Sequence, residues 1–268
     1  MVILGHTLSS NAVEFIKHYE KKLDRKWRFD RLPYDHPSLG DLIYDENFYV
    51  ISLKKNIPGE AFDAVFCHEI FHAFQISRGY PTVISNKEDA ADVKEYSHRL
   101  SCAILDLSAD TAVRKHDIDD SYIVQQRFKQ IKELSRGNFS RCSKPFGKQM
   151  LVIDLIIDLH GVVAAQKDIV LQGLKKALPG VYETYTVFME KIDQYGYSTA
   201  QGCFNIFGFI VNYVDLWKHC HISYGANGVY SLQQFRNTVV HDQKVENKLE
   251  NYFADKRNNF IDADPLQG

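Results

Sequence analysis

The sequence predicts an α+β fold that is predominantly α-helical, in which a small N-terminal antiparallel β-sheet precedes a motif-bearing helix and a helical bundle follows. Two early segments, 26–32 and 47–53, have the alternation or the β-branched and aromatic content of strands. Most later segments place apolar residues three and four positions apart, as amphipathic helices do. The 268 residues, 45% hydrophobic, suffice for one large domain. We expect a single domain over 1–268, with a motif-bearing core over 1–117 and a helical half over 118–268.

The predicted elements begin with a helix that Ser9 or Ser10 caps. The two strand-like segments follow, with a turn around Gly40 between them, and Pro58-Gly59 separates them from a helix over 60–78. Segment 47–53 is either an edge strand that pairs with an extended peptide or an ordinary strand that supports the motif helix. The stretch 136–147, with its glycines and serines, is the best candidate for a loop or lid. Further helices are predicted over about 87–115, 121–134, 146–160, 166–178, 181–194, 199–218 and 244–256.

Composition and charge argue against several classes of protein. The net charge of −2 offers no electrostatic footprint for nucleic acid or an anionic membrane. Five irregularly spaced cysteines without a CxxC pair argue against a disulfide framework and a cysteine zinc site, and favour a reducing compartment. The N-terminus lacks signal-peptide features, and the longest apolar stretch, 203–214, is too short to span a bilayer. We therefore expect a cytoplasmic protein that binds neither nucleic acid nor membranes, with its oligomeric state left open.

The most informative motif is the HExxH pentapeptide His68-Glu69-Ile70-Phe71-His72 inside the predicted helix 60–78. Residues four apart lie almost above one another on a helix, so His68 and His72 can hold one Zn²⁺ from the same side. Glu69 lies about 100° further round, where its carboxylate can reach a metal-bound water without being a ligand. The helix is apolar on nearly every side, so these polar residues should be buried and need partners. A metal ion supplies them, and the plainer alternative is a pair of hydrogen-bonded core histidines.

A catalytic zinc site needs a third protein ligand, usually from a following helix. Two acidic pairs have four-residue spacing: Asp106 with Asp110, and Glu88 with Asp92. Asp106 and Asp110 border the apolar stripe of their helix, where a carboxylate could meet a metal on a neighbouring helix. Glu88 and Asp92 have another explanation, because acidic residues are stabilised at a helix N-terminus. We predict Asp106 as the ligand and Asp110 as the acceptor that orients an imidazole N–H, with Asp110, Glu88 and Glu95 as the other ligand candidates.

With these residues, the chain resembles the zincin metallopeptidases, specifically the small intracellular gluzincins, over about residues 40–115. In that group, a second helix carries an acidic ligand followed four residues later by an acidic residue outside the ligand set, as Asp106 and Asp110 do here. The resemblance implies a zinc ion and a peptide or protein substrate. Asp106 departs from the usual Glu, and its shorter side chain requires the two helices to approach more closely. The third histidine of the metzincins is absent, because Ser77-Arg78-Gly79 follows the motif.

Metal-assisted amide hydrolysis is the reaction that these residues predict. Zn²⁺ lowers the pKa of its water toward ~7 and polarises the scissile carbonyl, while Glu69 takes the water's proton and later delivers it to the leaving amine. The tetrahedral intermediate needs an electrophilic partner, commonly Tyr or His. We predict His221 and Tyr224 in the dense segment 218–224, although a histidine near a helix C-terminus is also favoured by the helix dipole alone. The other candidates are His160, Tyr195, Tyr197 and His219.

Three functions are compatible with this set of residues. The first is a zinc-dependent peptidase. The second belongs to another class, a helical binding or regulatory protein whose zinc site is structural or vestigial. The third is a zinc hydrolase that acts on a non-peptide amide. The intact Glu69 speaks against the second function, because a purely structural metal site has no use for a base at that position.

Overall fold

The helices and strands follow the predicted order, with additional strands on both sides of the motif helix. The computed structural model describes residues 1–36, 38–132, 147–224 and 229–230. The chain is α+β and predominantly helical, which confirms the predicted fold class. In chain order the described elements are β1 (Val2–Ile3), β2 (His6–Thr7), α1 (Ser10–Glu20), β3 (Lys26–Leu32), β4 (Gly40–Tyr44), β5 (Phe48–Lys54), α2 (Gly59–Ser77), β6 (Pro81–Ser85), α3 (Ala91–Lys115), α4 (Ser121–Lys132), α5 (Gly147–Asp158), α6 (Ala164–Ala177), α7 (Pro179–Tyr195), α8 (Ala200–Tyr213), β7 (Cys220–Tyr224) and β8 (Val229–Tyr230).

The sheet before the motif helix has β5 at its centre, with β3 on one side and β4 on the other. β4 runs antiparallel to β5 but β3 runs parallel to it, so the sheet is mixed rather than purely antiparallel. Ile51 and Leu53 of β5 are fully buried and pack with α2. A central strand has both main-chain edges hydrogen-bonded, so burial there leaves no unpaired groups. Segment 47–53 therefore supports the motif helix, and β4, predicted as a turn around Gly40, is one of the two edge strands.

The first hydrophobic core, called the motif core below, surrounds α2. It is formed by α1, β5, α2 and the C-terminal end of α3. Ser9 caps α1 as predicted, since its Oγ accepts a hydrogen bond from the Ala12 N–H at 3.2 Å. α2 is buried on almost every side, as its apolar sequence predicts. Polar residues of α2 must therefore find their partners inside the protein.

The second hydrophobic core, called the helical core below, is formed by most of α3 with α5, α7 and α8, and by β6 and β7. α3 is long enough to belong to both cores, because Leu107 packs in the helical core and Ala109 packs in the motif core. Asp106 and Asp110 therefore lie on the part of α3 that passes from one core to the other.

The C-terminal part of the described chain differs most from prediction. The predicted helix 199–218 ends at Tyr213, and residues 220–224 form β7, which pairs antiparallel with β6. Asp215 has a left-handed backbone (φ 59°) that interrupts the helical path before the strand begins. The predicted loop 136–147, apart from Gly147, and the predicted helix 244–256 lie outside the described residues. Among the helices that the structure describes, none is both long and apolar enough to cross a membrane.

Candidate metal centre

His68 and His72 lie one turn apart on α2, as their four-residue spacing predicts. Their rings meet edge to face with 4.5 Å between centroids, and their Nε2 atoms are 2.9 Å apart. His68 is buried and His72 is largely buried, because α2 lies beneath both the sheet and α3. Two ring nitrogens thus converge on one point inside the protein.

Asp106 of α3 completes a triangle with the two histidines. Its Oδ1 atom lies 3.2 Å from His72 Nε2 and 3.5 Å from His68 Nε2. These three residues form a group whose ligand atoms all lie within 4.8 Å of one another. Metal–ligand bonds of about 2.0–2.1 Å in a tetrahedral site put the ligand atoms about 3.3 Å apart. The observed triangle has the size that such a site requires, and the structure places Asp106 rather than Asp110, Glu88 or Glu95 in it.

The outer nitrogen of each imidazole also has a partner. His68 Nδ1 lies 2.9 Å from Asp110 Oδ1, and His72 Nδ1 lies 2.7 Å from Gln75 Oε1. Because a carboxylate or amide oxygen accepts, each Nδ1 donates, so Nε2 is the nitrogen of each ring that can offer a lone pair to a metal ion in the triangle once it carries no proton. Asp110 therefore takes the orienting position that the sequence predicts for it. The sequence reasoning missed Gln75, although its spacing of three residues after His72 on the same helix is a signal that could have identified it.

Arg127 of α4 holds the two acidic residues from the other side. One guanidinium nitrogen contacts Asp110 Oδ2, and the second lies 3.6 Å from Asp106 Oδ2. Burial alone would raise the pKa of Asp110, but the Arg127 charge and the His68 hydrogen bond outweigh it and lower that pKa to about 2. The sequence carries no local signal for Arg127, since its partners lie on another helix.

The two carboxylates also act on the first histidine. Burial by itself would lower the pKa of His68, but hydrogen bonds to Asp106 and Asp110 raise it to about 10. Burial likewise opposes ionisation of Asp106, yet its bonds to His68 and His72 bring its pKa well below the ordinary value. The metal-free site therefore stabilises a proton on His68, and a metal ion that binds there has to displace it.

Glu69 lies beside the triangle without being part of it. Its side chain is buried, and this burial raises its pKa, although the neighbouring His72 and His68 act in the opposite direction. The carboxylate packs against Gly40 of β4 so closely that an added Cβ there would lie 2.6 Å from Glu69 Oε1. Gly40 is thus needed for space, and any larger residue at this position would displace the carboxylate.

A cleft of about 1000 Å³ opens over the triangle and Glu69. It runs between β4 and β6, with α2 and α3 as its floor and α4 at one side. Its polar lining includes Asp41, Tyr44, Tyr80, Lys94, His98, Cys102, Tyr122, Gln126 and Arg127. The site is therefore accessible to a molecule much larger than water.

The residues predicted as electrophilic partners are placed elsewhere. His221 Nε2 lies 2.7 Å from Asn86 Oδ1, His219 Nδ1 lies 2.8 Å from Asp89 Oδ1, and His160 approaches Thr111. Among the side chains that the structure describes, none of the predicted electrophiles lines the cleft. Tyr224 pairs with Pro81 through its backbone, and its side chain lies outside the described part of the chain. The segment 218–224 was expected at the end of a helix, but residues 220–224 form β7, which pairs with β6.

Comparison with known proteins adds no relative. No protein-family model, curated protein or solved structure matches this chain.

Proposed function

We propose that the protein is a zinc-dependent peptidase, in which His68, His72 and Asp106 bind the metal ion and Glu69 is the general base. The observation that carries this proposal is the convergence of three ligand atoms next to a buried carboxylate at the base of an open cleft. A structural zinc site is normally closed by four protein ligands, whereas a catalytic site has three and an open position.

The donor set favours zinc over the harder divalent cations. Two imidazole nitrogens and one carboxylate oxygen are a ligand set found in catalytic zinc sites, whereas Mg²⁺ and Ca²⁺ prefer oxygen ligands alone. When bound, zinc would supply Lewis acidity for the scissile carbonyl. The remaining chemistry falls to side chains of this chain.

Glu69 has the position and the environment of a general base. It is one residue from His68, lines the cleft, and is not among the three converging ligand residues. Its raised pKa makes it a better proton acceptor than an exposed glutamate. Its carboxylate can take a proton from the attacking water, hold it at Oε1 or Oε2, and return it to the leaving amine.

The edge strand β4 supports a peptide as the substrate. In the β4–β5 hairpin, Leu39 and Asp45 bond to β5, so antiparallel alternation turns the main-chain groups of Gly40 and Leu42 away from β5. Both residues line the cleft. An extended peptide can add to such an edge by main-chain hydrogen bonds, which a small non-peptide amide cannot do.

The test combines metal content with cleavage of casein or a peptide library. We expect wild type to bind one zinc ion per chain, His72→Ala to bind none, and Glu69→Gln to keep zinc while cleavage falls about 10²–10⁴-fold. Wild type without zinc, or His72→Ala with full zinc, would contradict the metal site. Unchanged cleavage by Glu69→Gln would contradict the role of the base. Zinc binding without cleavage of any substrate would favour a binding or regulatory protein with a structural site.

A further inference from the structure

Gln75 is a buried polar residue that the general-base chemistry does not use. Gln75 is 1% exposed, and it follows His72 by three positions on α2. Its Oε1 atom lies 2.7 Å from His72 Nδ1, and its Nε2 atom donates to the Leu105 carbonyl of α3 at 3.0 Å. One amide therefore bridges the two helices that carry the converging ligands.

The direction of these hydrogen bonds follows from the chemistry of the partners. A main-chain carbonyl can only accept, so the amide nitrogen of Gln75 must face Leu105. The amide oxygen must then face His72, and it too can only accept, so His72 Nδ1 must carry a proton. Nε2 is left as the nitrogen that can bind a metal ion, and it is the atom that faces Asp106.

The same bridge acts on the other helix. Leu105 directly precedes Asp106, so Gln75 holds the backbone of α3 next to the residue that supplies the carboxylate. This matters because an aspartate ligand is one methylene shorter than a glutamate and tolerates less separation between the helices. His68 has a different arrangement, in which a charged partner, Asp110, is itself held by Arg127.

We infer that Gln75 is a positioning residue of the metal site, which holds His72 in the tautomer with Nε2 free and holds α3 at the distance that Asp106 requires. This inference rests on the metal site of the proposed function. Outer partners of this kind change metal affinity by about 10–100-fold when they are removed. Gln75 thereby extends the readable motif from five residues to eight, 68–75.

The first test needs no metal. In metal-free wild-type protein labelled with ¹⁵N-histidine, NMR should detect a proton on His72 Nδ1 that exchanges slowly with water, because it is bonded to a buried amide. Gln75→Met, which has nearly the same shape without an acceptor oxygen, should lose this slow exchange. A His72 Nδ1 without a proton in wild type would overturn the inference, whatever the behaviour of the variant.

The second test measures zinc affinity by competition with a chromogenic chelator. Gln75→Met should bind zinc about 10–100-fold more weakly than wild type. The matched control is Gln126→Met, the same substitution at another residue that lines the cleft. Among the described residues, it is Gln75 and not Gln126 that is hydrogen-bonded to His72 Nδ1. It should bind zinc within about twofold of wild type, because it leaves both histidines unchanged. Equal affinity for wild type and a folded Gln75→Met would overturn the inference.

The two proposals fail in different ways. A wild type that binds zinc but cleaves no peptide contradicts the peptidase and leaves the role of Gln75 supported by affinity. A wild type that binds no zinc contradicts the metal site, and with it the part of the inference that concerns metal affinity. A Gln75→Met variant with wild-type exchange and wild-type affinity contradicts only the inference about Gln75.

Discussion

The helical core and the motif core bury polar side chains in different ways. In the helical core, the hydroxyls of Ser97, Ser101 and Thr184 each donate to a carbonyl one turn earlier in the same helix, and Ser97 and Ser101 also bond to the neighbouring strands β7 and β6. Beside the motif core, the bonds run between elements: His68 of α2 with Asp110 of α3, and Gln75 of α2 with the Leu105 carbonyl of α3. Bonds inside one helix form wherever that helix forms, whereas bonds between helices exist only after they pack.

α3 connects the two patterns, because it leaves the helical core at Leu107 and enters the motif core at Ala109. The difference indicates two separate roles. The helical core holds α3 in place, and the metal site uses the residues where α3 passes between the cores, called the crossing below, which include Asp106 and Asp110. Substitutions in the helical core should therefore change the free energy of unfolding with an intact site. Substitutions at the crossing should change metal binding in a folded protein.

The largest expected effect is at the crossing. Asp106→Ala should weaken zinc binding by more than the roughly 100-fold that outer partners contribute, and it should abolish cleavage, because it removes a ligand. Asp110→Ala should weaken zinc binding by about 10–100-fold. The two variants are matched in charge, since each removes one carboxylate that contacts Arg127. Zinc dissociation constants decide between them, and a weaker affinity for Asp110→Ala than for Asp106→Ala would identify Asp110 as the ligand.

In the helical core, Phe207→Ala should lower the free energy of unfolding by about 3–5 kcal/mol, because a fully buried ring is replaced by a cavity. The folded variant should still bind one zinc ion per chain. Urea unfolding and metal analysis of the same samples provide the measurement. Loss of zinc from a folded Phe207→Ala protein would show that the two cores are not separable in this way.

His160 tests the junction of the two cores through pH. Burial and the Arg114 charge lower its pKa to about 4, while the unfolded value is near 6.5. Between these two values the unfolded chain binds a proton that the folded chain does not. The contribution of neutral His160 to the free energy of unfolding is therefore complete above pH 6.5 and is lost as the pH falls toward 4. The loss amounts to at most about 3 kcal/mol. Urea unfolding across this range should give a flatter pH profile for His160→Gln than for wild type, and identical profiles would contradict the prediction.

The smallest effect is expected at the edge strand. Gly40→Ala should displace the Glu69 carboxylate and lower kcat by about 10–100-fold, with zinc content unchanged. Gly180→Ala is the matched control, because nothing lies within 4 Å of an added Cβ there. Peptide cleavage compared with metal content provides the readout. Full activity in Gly40→Ala would mean that the position of Glu69 against β4 has no bearing on catalysis.

Much of the fold could be predicted from the sequence because the sequence signals for its helices are local. The serine cap of α1, the apolar surround of α2 and the periodicity of α3 each depend on residues within a few turns. β7 was missed for the opposite reason, because its pairing with β6 joins segments that are far apart in the chain. β4 pairs with the nearby β5, but it begins with Gly40 and Asp41, residues that are typical of a turn.

The residues of the candidate site also differ in whether a local sequence signal identifies them. His68, Glu69 and His72 were predictable from spacing alone, and Asp106 and Asp110 from their place beside an apolar stripe. Arg127 and Gly40 were not, since their contacts join α4 to α3 and β4 to α2. The expected electrophiles at 218–224 were misplaced because the segment pairs as a strand.

By itself, the sequence determined an α+β protein with a helix that carries two histidines and a glutamate on a buried surface. It also favoured Asp106 and Asp110 as the acidic pair that faces them, because helical periodicity follows from the backbone geometry, but it left Glu88 and Glu95 open as ligands. The tertiary structure decided that Asp106 faces both Nε2 atoms, that Gln75 and Arg127 hold the ligands, and that β4 is the edge beside Glu69. Apart from the Gln75–His72 bond within α2, those contacts depend on the packing of distant segments, which no local pattern encodes.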